Sequence, residues 1–276
     1  MGRVLPDLIQ NRRLLVDLVW KELRARYRNA AMGFIWAVLQ PVLMMAVLTV
    51  VFGYLARDIV ASRSTGHSYA VFLLCALVPW QFFSAALTQG TQSLHNNGAL
   101  IKKVYFPREV IPLAAVLNCL VNVVIGFVTL AVVMAVLDGA SALGIGWAYL
   151  PLILFIQIML VVGLAMLFSA WNVHYHDVAY MLEVALAFGF YASPIIYALP
   201  SSMSALPVSE STGTWLYRLY MLNPMAGLIT LYRQALLENR FPDLNMLGLS
   251  ACLAAMAFIL GVYLFRRNAP TFADHL

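Results

Sequence analysis

Charged side chains are scarce in this sequence. Asp, Glu, Lys and Arg make up 11% of its 276 residues, about half the share found in an ordinary soluble domain. Hydrophobic residues make up 63%, and the mean hydropathy is +0.84. No soluble core could bury so much apolar surface. The composition therefore excludes a soluble globular protein and indicates an integral membrane protein.

Lysine is rarer still. The three lysines are Lys21, Lys102 and Lys103, and none of them follows a glycine. The chain therefore has no GxxxxGK(S/T) phosphate loop and does not bind ATP by that route. GxSxG, HExxH and clustered pairs of Asp or Glu are absent too, so we expect no catalytic site. The sequence predicts a conduit, not an enzyme, and its energy must come from another protein.

Carboxylates inside apolar runs, which proton or sodium coupling usually needs in number, are also scarce. Glu183 is the clear one. An ionisable residue within a span is a functional candidate by default. However, Glu183 lies close to the predicted cytoplasmic end of its run, where its side chain could reach polar surroundings. Both interpretations stay open.

Few residues could hold a metal ion. The three cysteines lie in separate apolar runs: Cys75, Cys119 and Cys252. We interpret them as small packing residues. His174, His176 and Asp177 lie in the segment WNVHYHD, but this histidine spacing suits neither one face of a helix nor a zinc motif. We interpret them as polar residues at the membrane interface and expect no metal site.

Long apolar runs are abundant. A membrane-spanning helix needs about 20 apolar residues. Six runs are long enough: 33–55, 69–90, 110–137, 148–170, 178–197 and 246–265. They do not alternate apolar with polar residues, so they predict helices and not barrel strands. We expect an all-α integral membrane protein with six transmembrane helices, in which residues 1–276 form a single transmembrane domain.

The basic residues are unevenly distributed. With six crossings, 12 of the 17 Lys and Arg residues fall on the side that holds both ends of the chain and residues 96–112. The positive-inside rule places that side in the cytoplasm. We therefore expect four regions: a cytoplasmic N-terminal region (1–32), spans one to five (33–197), an outer segment (198–245), and span six with a cytoplasmic tail (246–276).

Residues 14–28 have the pattern of an amphipathic helix. One helical face carries apolar residues at positions 16, 19, 20, 23 and 27, and another carries charged residues at positions 17, 21, 24 and 28. The pattern is typical of a basic helix lying in the cytoplasmic interface. The alternative is a solvated helix packed on another protein. The residues assigned to this interface helix are Trp20, Lys21, Arg24, Arg26, Tyr27 and Arg28.

A short basic island, NNGALIKKVYFPREVIP at residues 96–112, separates the second and third runs. Gly98 can begin a helix, about two helical turns fit over residues 99–105, and Pro107 ends them. Lys102 and Lys103 keep the island on the cytoplasmic side. A simple connector does not need this organisation. Since the chain lacks a phosphate loop, we expect the island to receive force from another protein.

The outer segment is unusual. Residues 198–213 are polar and rich in Ser and Pro, whereas residues 214–238 are apolar but split by Asn223-Pro224. Each half is too short to span a bilayer. We expect a re-entrant helical hairpin on the outer side, buried in protein or lining a cavity. The alternative is a seventh, kinked span, which would place the basic tail outside and break the charge rule.

Five segments, in order along the chain, carry recognisable motifs. They are WKELRARYRNAAMGFIWAVLQP (20–41), LVPWQFFSAALTQGTQSLHNNGALIKKVYFPREVIP (77–112), NVHYHDV (172–178), YASPIIY (191–197) and LNPMAGLITLYRQALL (222–237). Together they resemble the permease subunit of type-2 ABC transporters that export polysaccharides such as O-antigen, capsule and teichoic acid. One departure is His176, where the family often has a basic residue. A fixed salt bridge is therefore not expected there.

The resemblance implies a homodimer in the bacterial inner membrane, with two soluble ABC ATPase subunits on its cytoplasmic face. These partners would bind ATP and Mg²⁺, and this chain would hold no cofactor. The cargo would be a lipid-linked polysaccharide threaded outward between two copies, and no nucleic acid would be bound. The ATPase contacts, with help from the N-terminal helix, would be Asn97, Leu100, Ile101, Lys102, Lys103, Val104, Tyr105 and Phe106.

Aromatic rings suit the sliding passage of sugars, whose C–H faces pack against them. The candidates for such a glycan pathway are Trp80, Phe82, Phe83, Phe190, Tyr191, Tyr197, Tyr217 and Tyr220. The alternative for each is a membrane-interface belt or ordinary helix packing. The re-entrant hairpin, broken at Asn223 and Pro224, would form the outer gate.

Three other functions fit the sequence less well. A type-2 ABC permease for a drug or small lipid would share the architecture but lack the Leu-Ile-x-Lys-Val-x-Phe-Pro block. A self-powered secondary transporter or flippase would have several intramembrane carboxylates and internal repeats. A membrane-embedded glycan enzyme would need a catalytic cluster.

Overall fold

The structure is a computed structural model that describes residues 12–27, 35–54, 67–103, 106–139, 144–198 and 220–272. Within these ranges the chain is helical and has no β-strand, which confirms the predicted all-α class. A helix satisfies its backbone polar groups internally, and this is why long apolar runs adopt it in a membrane.

The helices are numbered here in chain order. They are α1 (Arg12–Tyr27), α2 (Ile35–Leu48), α3 (Tyr69–Asn96), α4 (Gly98–Lys103), α5 (Val110–Leu137), α6 (Leu150–His174), α7 (Val178–Ala192), α8 (Pro224–Leu236) and α9 (Leu244–Asn268). A π-helix, Thr49–Tyr54, continues α2. Short 3₁₀ turns, Ile145–Tyr149 and Ala269–Thr271, precede α6 and follow α9.

Within the described ranges, five helical segments are long and apolar enough to cross a membrane. They are Ile35–Phe52, Tyr69–Asn96, Val110–Leu137, Ile145–His174 and Leu244–Thr271. They correspond to five of the six predicted spans.

The predicted fifth span, 178–197, is shorter as a helix than its apolar run. α7 has 15 residues, which is about 22 Å of helix against an apolar membrane core of about 30 Å. The backbone turns extended at Ser193 because a residue before proline, here Pro194, disfavours the helical conformation. Six crossings therefore stay a prediction.

α3 is the central helix of the bundle. It packs against α2, α5, α6, α7 and α8. Its most apolar 18-residue stretch is 78% buried, compared with 33% for that of α5 and 22% for that of α9. α3 is therefore in contact with most of the other helices of the bundle.

α6 and α9 approach each other closely through two glycines. A Cβ atom on Gly163 would lie 2.5 Å from the backbone of Ala257 and Phe258, and one on Gly261 would overlap the carbonyl oxygen of Gly163. Small residues at a helix crossing allow the two backbones this approach. The pair forms a tightly packed unit.

The cysteines divide by burial. Cys75 and Cys119 are buried in the bundle, as a packing role predicts. Cys252 is exposed on α9, so the packing prediction is wrong there. It lies on the same outward face of α9 as Met256 and Ile259, which are also exposed.

One ion pair and one hydrogen bond between side chains mark opposite ends of the bundle. Arg266 near the end of α9 pairs with Glu109 just before α5, Nε to Oε1 at 2.9 Å. His67, before α3, pairs with Asp138, after α5, Nδ1 to Oδ2 at 2.8 Å. α5 is therefore antiparallel to α3 and α9. We call the end with the Arg266–Glu109 pair, which also carries α4, the basic end, and the opposite end the far end.

Candidate functional site

The basic end holds α4, the six-residue helix of the island. The backbone N–H groups of Leu100 and Ile101 donate to the carbonyl oxygen of Asn97 at 3.0 and 3.2 Å. The side-chain amide of Asn97 donates in turn to the carbonyl oxygen of Ser93 at 3.0 Å. These bonds join α4 directly to the last turn of α3.

α4 is amphipathic. It begins at Gly98, as the sequence predicts. Ile101 is 8% exposed and joins the main core, whereas Lys102 and Lys103 are exposed. Phe106, just beyond the helix, packs against the same core. α4 thus presents two adjacent positive charges on a base that is held in place.

α1 lies beside α4 and the start of α5. Leu18 is 6% exposed and packs against Val110 and Ala114. Around this contact lie Leu14, Leu15, Val19 and Leu100. The predicted apolar face is divided, since Val19 lies at this contact whereas Val16 is 50% and Trp20 57% exposed. α1 therefore has two apolar faces, one on the protein and one outward, while Lys21 and Arg24 are exposed.

Several predicted residues fall outside the described chain: Arg28, Val104, Tyr105 and Tyr217. The side chains of Arg26 and Tyr27 lie outside it as well. Their assignments remain predictions.

The residues that follow α9 are held against the basic end. The Arg108 guanidinium donates to the carbonyl oxygen of Ala269 and lies 5.9 Å from the ring centroid of Phe272. The Arg266–Glu109 pair reinforces the same joint. The residues that lead from α4 into α5 are therefore anchored to the end of α9.

The connector between α6 and α7 also lies at this end. The His176 ring meets His95 at the end of α3 edge-on, with centroids 5.5 Å apart, and His174 lies 6.3 Å from Phe272. His176 and Asp177 are exposed, as expected of interfacial polar residues. Among the described residues, no group of three His, Cys, Asp or Glu could hold a metal ion.

α8 is the described part of the predicted hairpin. Asn223 caps it by accepting from the Met225 N–H at 3.1 Å, and Pro224 occupies the first turn. The chain therefore breaks where the sequence predicts. Almost every residue of α8 is buried, against α3, α6 and α9. A short helix at membrane depth needs this enclosure by protein.

Arg233 of α8 is a buried cation that the sequence reasoning did not single out. Its guanidinium donates to the carbonyl oxygens of Ile195 at 2.8 Å and Tyr197 at 3.2 Å. It also lies 3.5 Å from the ring centroid of Phe72. Arg233 thus holds the turn after α7 against α8. An Arg within an apolar stretch was the available signal.

A second buried connection crosses the bundle. The Tyr232 hydroxyl donates to Gln157 Oε1 at 2.8 Å, and Gln157 Nε2 donates to the carbonyl oxygen of Pro79 at 2.7 Å. Gln157 is fully buried. Its side chain therefore joins α8 to the proline-containing part of α3, through α6.

The aromatic pathway candidates separate into two groups. Trp80, Phe82 and Phe83 are buried in the core, where the Trp80 ring packs 5.5 Å from Phe83 and 6.0 Å from Phe190. In the single chain these rings connect α3 to α7.

The other candidates lie nearer the surface. Tyr191 is 69% exposed at the end of α7. Tyr197 and Tyr220 are partly buried, with hydroxyl oxygens 2.8 Å apart. Tyr191 is therefore the described candidate most accessible to a passing ligand.

α7 packs on the bundle by one narrow face. Leu182 is its one buried residue, while Phe188 is 74% and Val184 57% exposed. Glu183 is exposed too and forms no ion pair with the described part of the chain. Most of α7 is thus available to lipid or to another chain.

Comparison with known proteins identifies the family. Residues 13–237 match the ABC-2 type transporter family. The chain belongs to this family. The resemblance seen in the five motifs is confirmed, and this ABC-2 transporter chain is a transmembrane component that lacks the phosphate loop.

Individual relatives match over nearly the whole ABC-2 transporter chain. It is 29% identical to the O-antigen export system permease protein RfbA of Myxococcus xanthus, over all of both chains. It is 28% identical to RfbA of Klebsiella pneumoniae, over 95% of each. It is 23% identical to the polysialic acid transport protein KpsM of Escherichia coli, over 90% of this chain and 91% of KpsM.

Proposed function

We propose that this chain is the channel-forming permease subunit of an ATP-driven exporter that moves a lipid-linked polysaccharide across the cytoplasmic membrane. The observation that carries the proposal is the full-length similarity to a relative named as an O-antigen export permease. The exposed lysine pair on α4, bonded to the central helix, supports it.

The partner at the basic end would be a soluble ABC ATPase, with two copies per complex. These subunits would bind the ATP and Mg²⁺ that the exporter needs. α4 would be their main contact and α1 would assist, because both expose lysine or arginine beside an anchored apolar face. By the positive-inside rule, this end and both termini lie in the cytoplasm, in a bacterial inner membrane.

The force would travel along bonded groups. ATPase closure would move α4, whose backbone is hydrogen-bonded to the end of α3. α3 carries the Pro79 carbonyl, which is linked through Gln157 to Tyr232 of α8. α8 would thus respond to a motion that begins at the basic end, and it would act as the outer gate.

The glycan would pass between two copies of the chain. α7 supports this proposal because it exposes most of its surface and carries Tyr191 at its end. A second copy would cover part of that surface, and the space between them could stay hydrated while each copy remains tightly packed.

The test is a charge reversal on α4. We expect Lys103→Glu to reduce co-purification of the ATPase and to lower the amount of surface polysaccharide, because an acidic side chain would oppose the contact. Arg240→Glu is the matched control, since Arg240 is exposed and follows α8 at the far end. Normal ATPase binding and normal export in Lys103→Glu would refute the coupling role of α4.

A further inference from the structure

The described part of the bundle contains a cleft that is partly lined by amide and hydroxyl side chains. It lies between α2, α3 and α5 and has a volume of about 120 Å³. Its polar lining consists of Gln40, Gln81, Ser84 and Asn122, and Pro41 and Phe82 contribute apolar walls. Gln40 is exposed, whereas Gln81, Ser84 and Asn122 are partly buried, so the cleft opens to the surface beside α2.

The depth of the cleft is its most informative property. Gln81 and Asn122 lie near the midpoints of two 28-residue helices, α3 and α5. Amide side chains in the middle of a membrane-spanning bundle are costly unless they meet polar partners. Gln81 and Asn122 both line the cavity, and a side-chain amide can form several hydrogen bonds, so each can bind a ligand in addition to its contacts within the protein.

The chemistry of the lining limits what can bind. Amide groups both donate and accept hydrogen bonds, and the Ser84 hydroxyl, which donates to the carbonyl oxygen of Gln81, can still accept one. Among the residues that the structure describes, no Asp, Glu, Lys, Arg or His lines the cleft, so they offer an ion no counter-charge. Pro41, Val78 and Phe82 supply apolar contacts around these polar groups. This combination suits a neutral molecule that is rich in hydroxyl groups.

The size limits the ligand further. A single water needs roughly 10–15 Å³ of such space, so 120 Å³ holds on the order of ten waters. This space suits one sugar ring with its hydroxyl groups, but it is too small for several linked sugar units of a polysaccharide.

We propose that this cleft is a binding site for one neutral sugar unit of the transported polymer. The proposal rests on the proposed function and adds a site, near the middle of the membrane, at which the polymer binds during its passage. The amides of Gln81 and Asn122 hydrogen-bond the sugar hydroxyls, and the apolar lining around them, including Pro41 and Val78, contacts the C–H groups of the ring. Gln40 closes the mouth from α2.

The first experiment removes the hydrogen bonds and keeps the shape. We expect Gln81→Leu and Asn122→Leu each to lower surface polysaccharide about fivefold, the effect of losing one neutral hydrogen bond. The conservative variants Gln81→Asn and Asn122→Gln keep an amide and should retain most export. Protein amount and ATPase co-purification should stay normal in all four. Normal export in both leucine variants would overturn the site, while Lys103→Glu tests the proposed function separately.

The second experiment measures access without disturbing the amides. Cys119 also lines the cleft, so it is replaced by serine, which keeps its size, while Cys75 and Cys252 are replaced by alanine. In this protein, Ser84→Cys should react with a charged methanethiosulfonate reagent at least about tenfold faster than Val128→Cys. A thiol in apolar surroundings stays protonated and unreactive. Val128 is 58% exposed on α5, and it does not line the cleft.

Competition by free sugars tests whether the cleft binds a sugar or holds only water. We expect monosaccharides released by acid hydrolysis of the host's surface polysaccharide to slow the labelling of Ser84→Cys. Labelling as slow as that of Val128→Cys would show that the cleft is closed to water and would overturn the proposal. Fast labelling without protection, together with normal export of the leucine variants, would show a water-filled cleft only and would also overturn it.

Discussion

A single buried cation, Arg233, holds together three parts of the chain. It donates to two carbonyl oxygens of the turn after α7 and stacks on the Phe72 ring of α3. Among the described residues, no carboxylate lies within ion-pair distance of it. The planar fork of the guanidinium is what allows one side chain to make these contacts together.

Arg233→Lys should therefore destabilise the protein although it keeps the charge. Lysine offers a point charge in place of a fork, so one charge-assisted hydrogen bond and the ring stacking are lost. We expect a decrease of about 2 kcal/mol in the free energy of unfolding. The measurement is the thermal unfolding midpoint of the purified protein in detergent.

Arg240→Lys is the control for that substitution, because the Arg240 side chain is 61% exposed. Its effect should stay within about 0.5 kcal/mol. Equal unfolding midpoints for the two variants would contradict the role assigned to Arg233.

The sequence could identify Arg233 as unusual but not its partners. Ile195, Tyr197 and Phe72 are remote from it in the sequence, and only folding brings their carbonyls and ring together. Gln157 is a similar case, since both of its hydrogen-bond partners lie on other helices. The local sequence pattern shows that a polar side chain needs a hydrogen-bond partner, and the tertiary structure decides which atoms provide it.

At the scale of helices, the contact between α6 and α9 depends on two glycines. Gly163→Ala would place a methyl group 2.5 Å from the α9 backbone. A backbone cannot yield as a flexible side chain can, so the helices must separate. We expect a loss of about 1–3 kcal/mol of stability, measured as a lower unfolding midpoint.

Gly248→Ala provides the matched comparison on α9 itself. An added Cβ there meets nothing within 4 Å. Alanine is the better helix former, so this variant should be neutral or up to about 1 kcal/mol more stable. Equal destabilisation by both alanine variants would show that the glycine contact is not the cause.

Element boundaries follow from local chemistry better than buried faces do. Gly98 and the Asn223-Pro224 pair begin α4 and α8 where the sequence predicts. The outward turn of Trp20 was not predictable, because α1 presents a second apolar face through Leu18 and only the presence of α5 selects it. The cleft was missed for the same reason, since its lining comes from three separate helices.

At the scale of the whole molecule, the two ends differ in chemistry. The basic end exposes Lys102, Lys103 and Arg267. At the far end, His67 contacts two groups. Its Nδ1 hydrogen-bonds to Asp138, and its Nε2 lies 2.8 Å from the carbonyl oxygen of Leu237, just after α8. If the first end faces the cytoplasm, the second faces outward and holds the proposed gate.

Cysteine labelling of intact cells tests this orientation. With the native cysteines replaced, a membrane-impermeant thiol reagent should label Arg240→Cys from outside. Lys103→Cys should be labelled only after the cells are permeabilised, because it lies at the opposite end of the bundle. Labelling of both positions in intact cells would contradict the orientation and the predicted even number of crossings.

The close contact of Gly163 with Gly261 has a mechanical consequence. Two helices whose backbones are in direct contact cannot move relative to each other without losing that packing. We therefore expect α6 and α9 to behave as one rigid unit. Fewer residues of α2 and α7 than of α6 are buried: 17% of the most apolar stretch of α2 against 50% for that of α6, and Leu182 alone in α7. Moving α2 or α7 should therefore break fewer contacts than moving α6. When a passage opens, we expect α2 and α7 to move while α6 and α9 stay fixed relative to each other. Gln40 would then move with α2, and the mouth of the cleft would change its width.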